Sequence, residues 1–270
     1  MENYKLFWWR GKHYNFGDEI TPWLFKKMCD INQSSPCNIK LEKGPIILAV
    51  GSIMRLSSAK TSIWGSGIRN IDQSDFTEAK KYHAVRGPFT RKQLLNLGYT
   101  CPAIYGDPGL LLPKYYNPSI SKKFKLGIIP HVSEYEDIKK KYSKLKDVLI
   151  INLTTNDIEK VVDDIVSCET TVSTSLHGII TSVAYGIPTR WLKYSDRITG
   201  DDIKFYDFFA SLDNRVFSTF NYKDITSPIS KYNPIIPSNS ISDIIKQTEL
   251  YPMDSLDINR LISSCPVKIT

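Results

Sequence analysis

Histidine is scarce in this chain and cysteine is scattered. Four histidines and five cysteines occur among 270 residues. The cysteines (Cys29, Cys37, Cys101, Cys168, Cys265) are odd in number and never form a CxxC pair. Neither a disulfide framework nor a zinc site follows, and a reducing cytosol is expected. No His/Asp/Glu cluster stands at ligand spacing, so no metal is expected. No run approaches the ~20 apolar residues of a membrane span, and the opening MENYKLFWWRG lacks the apolar stretch of a signal peptide. The expected location is cytoplasmic, with any membrane contact made from the surface at the inner face. GxGxxG, GxxxxGK(S/T) and GxSxG are also missing. That argues against a dinucleotide enzyme, a nucleotide triphosphatase and an α/β-hydrolase. The Lys-rich runs at 122–125 and 139–146 have no interleaved aromatics, so they read as solvated faces and no nucleic acid is expected.

What is present is an ordinary globular composition, 41% hydrophobic and 23% charged. The length fits one large domain or two smaller ones. A net charge of +7 fits an acidic partner or a solvated basic surface. Oligomeric state is not legible.

The stretch Thr170–Leu192 carries the most information. A β-rich run, Thr170-Thr171-Val172, enters the hydroxyl turn Ser173-Thr174-Ser175. Leu176, Ile179, Ile180 and Val183 then recur at helical spacing, Gly186 stops the helix and Pro188 opens the next extended run. This is the unit of a parallel α/β sheet. Its turn sits where such sheets bind ligands, and a helix N-terminus there favours an anion. His177 falls off the apolar stripe. It reads as an acid/base residue acting on a bound anion, or as a capping or core histidine.

Other strand ends repeat the pattern. Tyr4–Trp9 reads as a strand, followed by Asn15-Phe16-Gly17-Asp18 and a helix over about Ile20–Cys29 with Pro22 in its first turn. That loop is a second ligand edge, or a plain N-cap supplied by Asp18. Pro45–Val50 and Thr61–Trp64 read as strands ending in Gly51-Ser52 and Gly65-Ser66-Gly67. Tyr82–Val85 delivers Arg86 beside a helix start, a place suited to reading an anion or a buried carboxylate. Ala103–Tyr105 is a short strand. Lys114–Lys123 is the expected linker. Beyond it come strands at Lys125–Ile129 (ending in Pro130-His131) and Val148–Ile151, with helices over Tyr135–Lys144 and Asp157–Cys168. Lys204, in the first turn of a helix over Ile203–Ala210, opposes the helix dipole and reads as a ligand contact or an exposed lysine.

Seven motifs fall in one order: Asn15–Asp18, Gly65–Ile68, Val85–Pro88, Gly106–Pro113, Ile129–His131, Ser173–Gly178 and Gly186–Pro188. In this the chain resembles the polysaccharide pyruvyl transferase family over about residues 4–210, most nearly its exopolysaccharide ketal-pyruvate transferase branch, which Lys204–Asp207 also resembles. The resemblance implies a GT-B-like fold, two Rossmann-like α/β domains with parallel sheets facing a central cleft. Residues 1–118 would form the acceptor side and 119–225 the donor side, with 226–270 packing back on the first domain. It implies transfer of pyruvate from phosphoenolpyruvate to a hydroxyl pair of a glycan or lipid-linked oligosaccharide, forming a ketal, without a cofactor. The implied catalytic residue is His177, with His131 as runner-up. Arg86, Lys204, Ser173, Ser175, Asn15, Gly17, Asp18, Gly65 and Ser66 are the implied substrate contacts. Many family members carry arginine two positions before the motif histidine, where this chain has Ser175, so Arg190 or Arg197 is expected to supply the missing cation. Two other readings stay open: a nucleotide-sugar glycosyltransferase, and a non-catalytic glycan-binding protein exposing Trp8, Trp9, Tyr14 and Trp64.

Overall fold

The computed structural model describes residues 4–29, 44–213, 232–237, 240–253 and 256–267. Cys37 and the expected boundary at 225/226 lie outside them. The first half runs β1 (Lys5–Phe7), α1 (Phe16–Met28), β2 (Ile46–Leu48), β3 (Thr61–Trp64), β4 (Lys81–Ala84) and α2 (Pro88–Asn96), then a 3-10 turn (Pro108–Leu111) and α3 (Leu112–Tyr115). The second half runs β5 (Phe124–Ile129), α4 (Tyr135–Tyr142), β6 (Val148–Ile150), α5 (Ile158–Val166), β7 (Cys168–Ser173), α6 (Leu176–Ala184), β8 (Thr189–Trp191) and α7 (Ile203–Leu212). Two short helices follow, α8 (Ile241–Ile245) and α9 (Ile258–Ser263).

Each half holds a four-stranded, all-parallel sheet, ordered β1-β2-β3-β4 and β6-β5-β7-β8. Both are consistent with Rossmann-like α/β domains, though only the second reverses its winding. From β5 the chain crosses to β6 on one side, then returns past β5 to β7 on the other. The apolar run Ile46–Leu48 is wholly buried, as a strand covered on both faces must be.

Several boundaries differ from the sequence expectation. Helix α1 begins a turn earlier, because Asn15, not Asp18, is its N-cap; the Asn15 carboxamide oxygen accepts from Gly17 N at 3.1 Å. Pro22 consequently lies inside the helix and deprives the Asp18 carbonyl of its usual donor. Helix α5 stops at Val166, because Cys168 already pairs with Phe124 in the sheet. The short strand expected at Ala103–Tyr105 reduces to one bridge between Val85 and Tyr105.

The apolar residues of the two halves share cores. Ile46, Leu48 and Ile63 cluster with Ile179, Ile180, Phe205 and Phe208. Phe16, Ile20 and Leu24 of α1 cluster with Ile129, Val161 and Val162. The C-terminal segment joins the same core through Leu261, whose carbonyl accepts from the Trp64 indole at 2.9 Å. Among the described residues no helix is long and apolar enough to cross a membrane.

Candidate active site

Adjacent strands whose crossovers leave in opposite directions open a crevice at their carboxyl ends. In this chain those strands are β5 and β7. They deliver His131 and the turn Ser173-Thr174-Ser175 to one place. Hydroxyls fasten that turn. Ser173 Oγ donates to Ile129 O at 2.8 Å and accepts from Ser175 N at 2.9 Å. Thr174 Oγ1 accepts from His131 N at 2.7 Å. Ser173, expected as a substrate contact, is fully buried and spends its hydroxyl on the backbone. Ser175 is the N-cap residue of α6, yet its side chain makes no capping bond, so the helix start is left open to the pocket that Ser175 lines.

That pocket, of about 180 Å3, draws on both sheets. The second half supplies His131, Ser175, His177, Thr199 and Lys204; the first supplies Trp9, Asn15, Asp18, Ser52, Arg55 and Arg69. Arg55 and Arg69 follow the small turns after β2 and β3 and were not among the expected contacts. Lys204, Arg55 and Arg69 make no ion pair among the described residues. Burial, with Arg86 nearby, lowers the Lys204 ammonium to about 8. The pocket's one carboxylate, Asp18, is raised to about 7 by burial and then by Glu19. Three cations beside one carboxyl give the pocket a positive balance that suits an anion.

His177 sits at the back of this pocket with only 14% of its side chain exposed. Its ring rests on Gly17: a Cβ there would lie 2.0 Å from His177 Nδ1. Gly17 thus permits a close approach within a helix, rather than an unusual turn. Behind the ring, Asp107 Oδ2 lies 3.9 Å from His177 Nε2, and both atoms are buried without a hydrogen-bond partner. Burial first, then Arg86 and Lys204, push the imidazole down to about 3, so it is neutral at pH 7. The near-neutral pKa expected of a free histidine does not hold in this environment. His131 is likewise lowered, to about 4, by burial and Lys204. Its Nδ1 lies 2.8 Å from Ser133 Oγ and 3.3 Å from Ser133 N.

The remaining expected contacts point elsewhere. Arg86 is fully buried; Nε pairs with Asp207 at 3.0 Å, Nη1 donates to Ser52 Oγ and Nη2 to Ile68 O, each at 2.7 Å. Of the two partners that its position suggests, an anion or a buried carboxylate, the structure shows the carboxylate. Gly67 leaves the room, since a Cβ there would meet the guanidinium carbon at 2.4 Å. Ser66 is buried and donates to Gly51 O at 2.8 Å, while Gly65 packs on Pro108 with a left-handed φ of 93°. Arg190 pairs with Glu249 at 3.0 Å, and Arg197 pairs with Asp137 on an exposed loop. Neither lines the pocket.

The chain matches the family model described as polysaccharide pyruvyl transferase over residues 3–196. It belongs to that family and is accordingly a transferase, acting in the pyruvate transfer of polysaccharide biosynthesis. An uncharacterized protein of Acanthamoeba polyphaga mimivirus is 32% identical over 206 residues, covering 74% of this chain and 71% of the relative. The succinoglycan biosynthesis protein ExoV of Rhizobium meliloti (strain 1021) is 23% identical over 219 residues, covering 77% of this chain and 65% of the relative, slightly under two thirds of its length. No solved structure matches.

Proposed function

We propose that this chain moves pyruvate from phosphoenolpyruvate to a hydroxyl pair of a polysaccharide unit, forming a cyclic ketal and releasing phosphate. One observation carries the reading. Lys204, Arg55 and Arg69, without ion pairs among the described residues, share a pocket with an uncapped helix start, a neutral histidine and a protonatable carboxyl. Phosphoenolpyruvate is a compact trianion. The cations and the helix start neutralise its phosphate and carboxylate, and they stabilise charge on the leaving phosphate.

Neutral His177 is a base. It takes the proton of the first acceptor hydroxyl as that oxygen bonds to C2 of the enol. The protonated Asp18 carboxyl is the acid that delivers a proton to C3, turning the methylene into a methyl group. The C2–O bond to phosphate then breaks. The second hydroxyl closes the ring and gives its proton to the departing phosphate. A ring N–H of His131, which lines the same pocket, donates to the donor's carboxylate or phosphate. No cofactor enters, because the enol ester carries its own leaving group.

In this reading the two sheets are the halves of a GT-B-like arrangement, residues 1–118 on the acceptor side and 119–225 on the donor side. The protein works from the cytoplasmic face, where a basic surface of net charge +7 suits an anionic membrane.

The test incubates the protein with phosphoenolpyruvate and a panel of sugar acceptors. It follows phosphate release together with the ketal methyl signal by NMR. No turnover with any acceptor, combined with thermal stabilisation by a nucleotide sugar, sinks the reading.

A further inference from the structure

Five large hydrophobic side chains are conspicuously exposed among the described residues, and two are aromatics of one loop: Trp9 at 45% and Tyr14 at 46%. Trp8 and Trp64, which a sugar-binding surface would also have used, are buried at 5% and 0%. The loop leads from β1 into α1. Trp9 reaches the mouth of the catalytic pocket, while Tyr14 and residues 10–13, with Thr154 opposite, frame a second hollow of about 480 Å3. The loop is held in place. Phe16 N donates to Leu153 O at 2.9 Å, and Asn15 caps α1. Each exposed ring also carries a guanidinium: Arg55 lies 5.5 Å from the Trp9 ring centroid and Arg10 5.4 Å from that of Tyr14. Half-exposed aromatics beside charged hydrogen-bond donors present an apolar face with polar groups at its edge.

A sugar fits this surface chemically. The C–H face of a pyranose is apolar and packs on an aromatic ring, while its edge hydroxyls accept from guanidinium and ammonium groups such as Arg10 and Lys12. We propose that Trp9 and Tyr14 form the acceptor subsite. The sugar bearing the reacting hydroxyl pair lies on Trp9 at the pocket mouth, and the adjoining sugar of the glycan lies on Tyr14 in the second hollow. The inference rests on the reading of the inner pocket as the donor site. It adds that the acceptor enters along the β1–α1 loop, which leads directly into the helix that carries Gly17 against His177.

The test is saturation-transfer NMR with a panel of methyl hexopyranosides at millimolar concentration, read beside the thermal shift given by phosphoenolpyruvate. Wild-type protein is expected to saturate ring C–H protons of at least one hexoside. Trp9→Ala and Tyr14→Ala are each expected to weaken that binding by about ten-fold or more, and Trp9→Phe to keep most of it. Tyr14 is exposed and outside the donor pocket, so Tyr14→Ala should retain the phosphoenolpyruvate shift; it also keeps the test valid if Trp9→Ala folds poorly. Binding of no hexoside, or equal binding by the Trp9→Ala/Tyr14→Ala double variant, overturns the subsite. A wild-type protein that binds a hexoside but shows no phosphoenolpyruvate shift instead strikes the donor reading.

Discussion

Asp107 Oδ2 and His177 Nε2 face each other at 3.9 Å, both buried and neither hydrogen-bonded. The carboxylate is fixed from its other side, where Oδ1 accepts from Gly109 N at 2.9 Å. Burial raises Asp107 to about 6. Above that pH an ionised Asp107 facing Nε2 favours the tautomer that carries its proton there and steadies the positive charge that appears when His177 takes a second proton. Asp107→Asn is expected to lower kcat for pyruvyl transfer by roughly 10²-fold or more. The KM for phosphoenolpyruvate should stay nearly constant, and the limb of the pH–rate profile near pH 6 should disappear. An unchanged kcat in this variant would leave Asp107 with a packing role only.

Gly17 sets the other side of the same ring. Its backbone is helical, so alanine is tolerated there by conformation and favoured by propensity. The obstacle is the histidine, 2.0 Å from the added Cβ. Gly17→Ala is expected to displace the imidazole and cost about 10²-fold in kcat while the melting temperature falls by only a few degrees. Full activity in Gly17→Ala would mean that the ring has a second productive position.

How much of this was readable beforehand depends on the kind of information each residue carries. The parallel sheets, the turn at Ser173–Ser175 and His177 at a strand's carboxyl end follow from local periodicity, which a sequence displays directly. The Asn15–Asp18 motif was legible as a ligand edge, but its function through absence of a side chain was not. Gly17 matters because residue 177 comes to rest on it, a long-range contact with no local signature. Arg86 illustrates the same limit. Its position suits either an anion or a buried carboxylate, and the partner, Asp207, lies 121 residues away. Arg55 and Arg69 had a usable signal, a basic residue shortly after a Gly/Ser turn at a strand end. Which of the chain's 35 lysines and arginines face the pocket is decided by packing.

The Arg86–Asp207 pair predicts a stability phenotype. Asp207 also accepts from Thr90 N and Oγ1 at 2.9 and 2.7 Å, so the cluster is saturated and dry. Arg86→Ala leaves a buried carboxylate uncompensated, at a cost of roughly 3–5 kcal/mol. The double variant Arg86→Met/Asp207→Leu is expected to recover much of that loss. Urea unfolding measures both. Arg86→Ala with wild-type stability and lost phosphoenolpyruvate affinity would instead place the guanidinium on the ligand.

Asp18 predicts how stability and activity respond to pH. Its carboxyl is raised from 3.8 to about 7, so the folded chain keeps a proton that the unfolded chain releases. Stability from this group is present below pH 3.8, declines as pH rises towards 7, and stays low above it. His131 and His177 act in the opposite sense: held neutral in the fold, they add stability as pH rises, and that gain levels off only about one unit above their ordinary value of 6.5. Asp107, raised to about 6, adds a loss of the same sign as that of Asp18, which levels off by about pH 7. Between about pH 5 and 7.5 the loss from Asp18 therefore runs against the gain from the two histidines. Asp18→Asn removes that loss, so it is expected to make the melting temperature rise more steeply with pH across that window and to stabilise the protein at pH 8 by on the order of a few kcal/mol. The same substitution removes the proposed acid and should lower kcat by about 10²-fold. A gain in stability alone would make Asp18 a strained bystander of the pocket. Loss of activity without the change in pH slope would mean that the carboxyl is ionised and serves as a base.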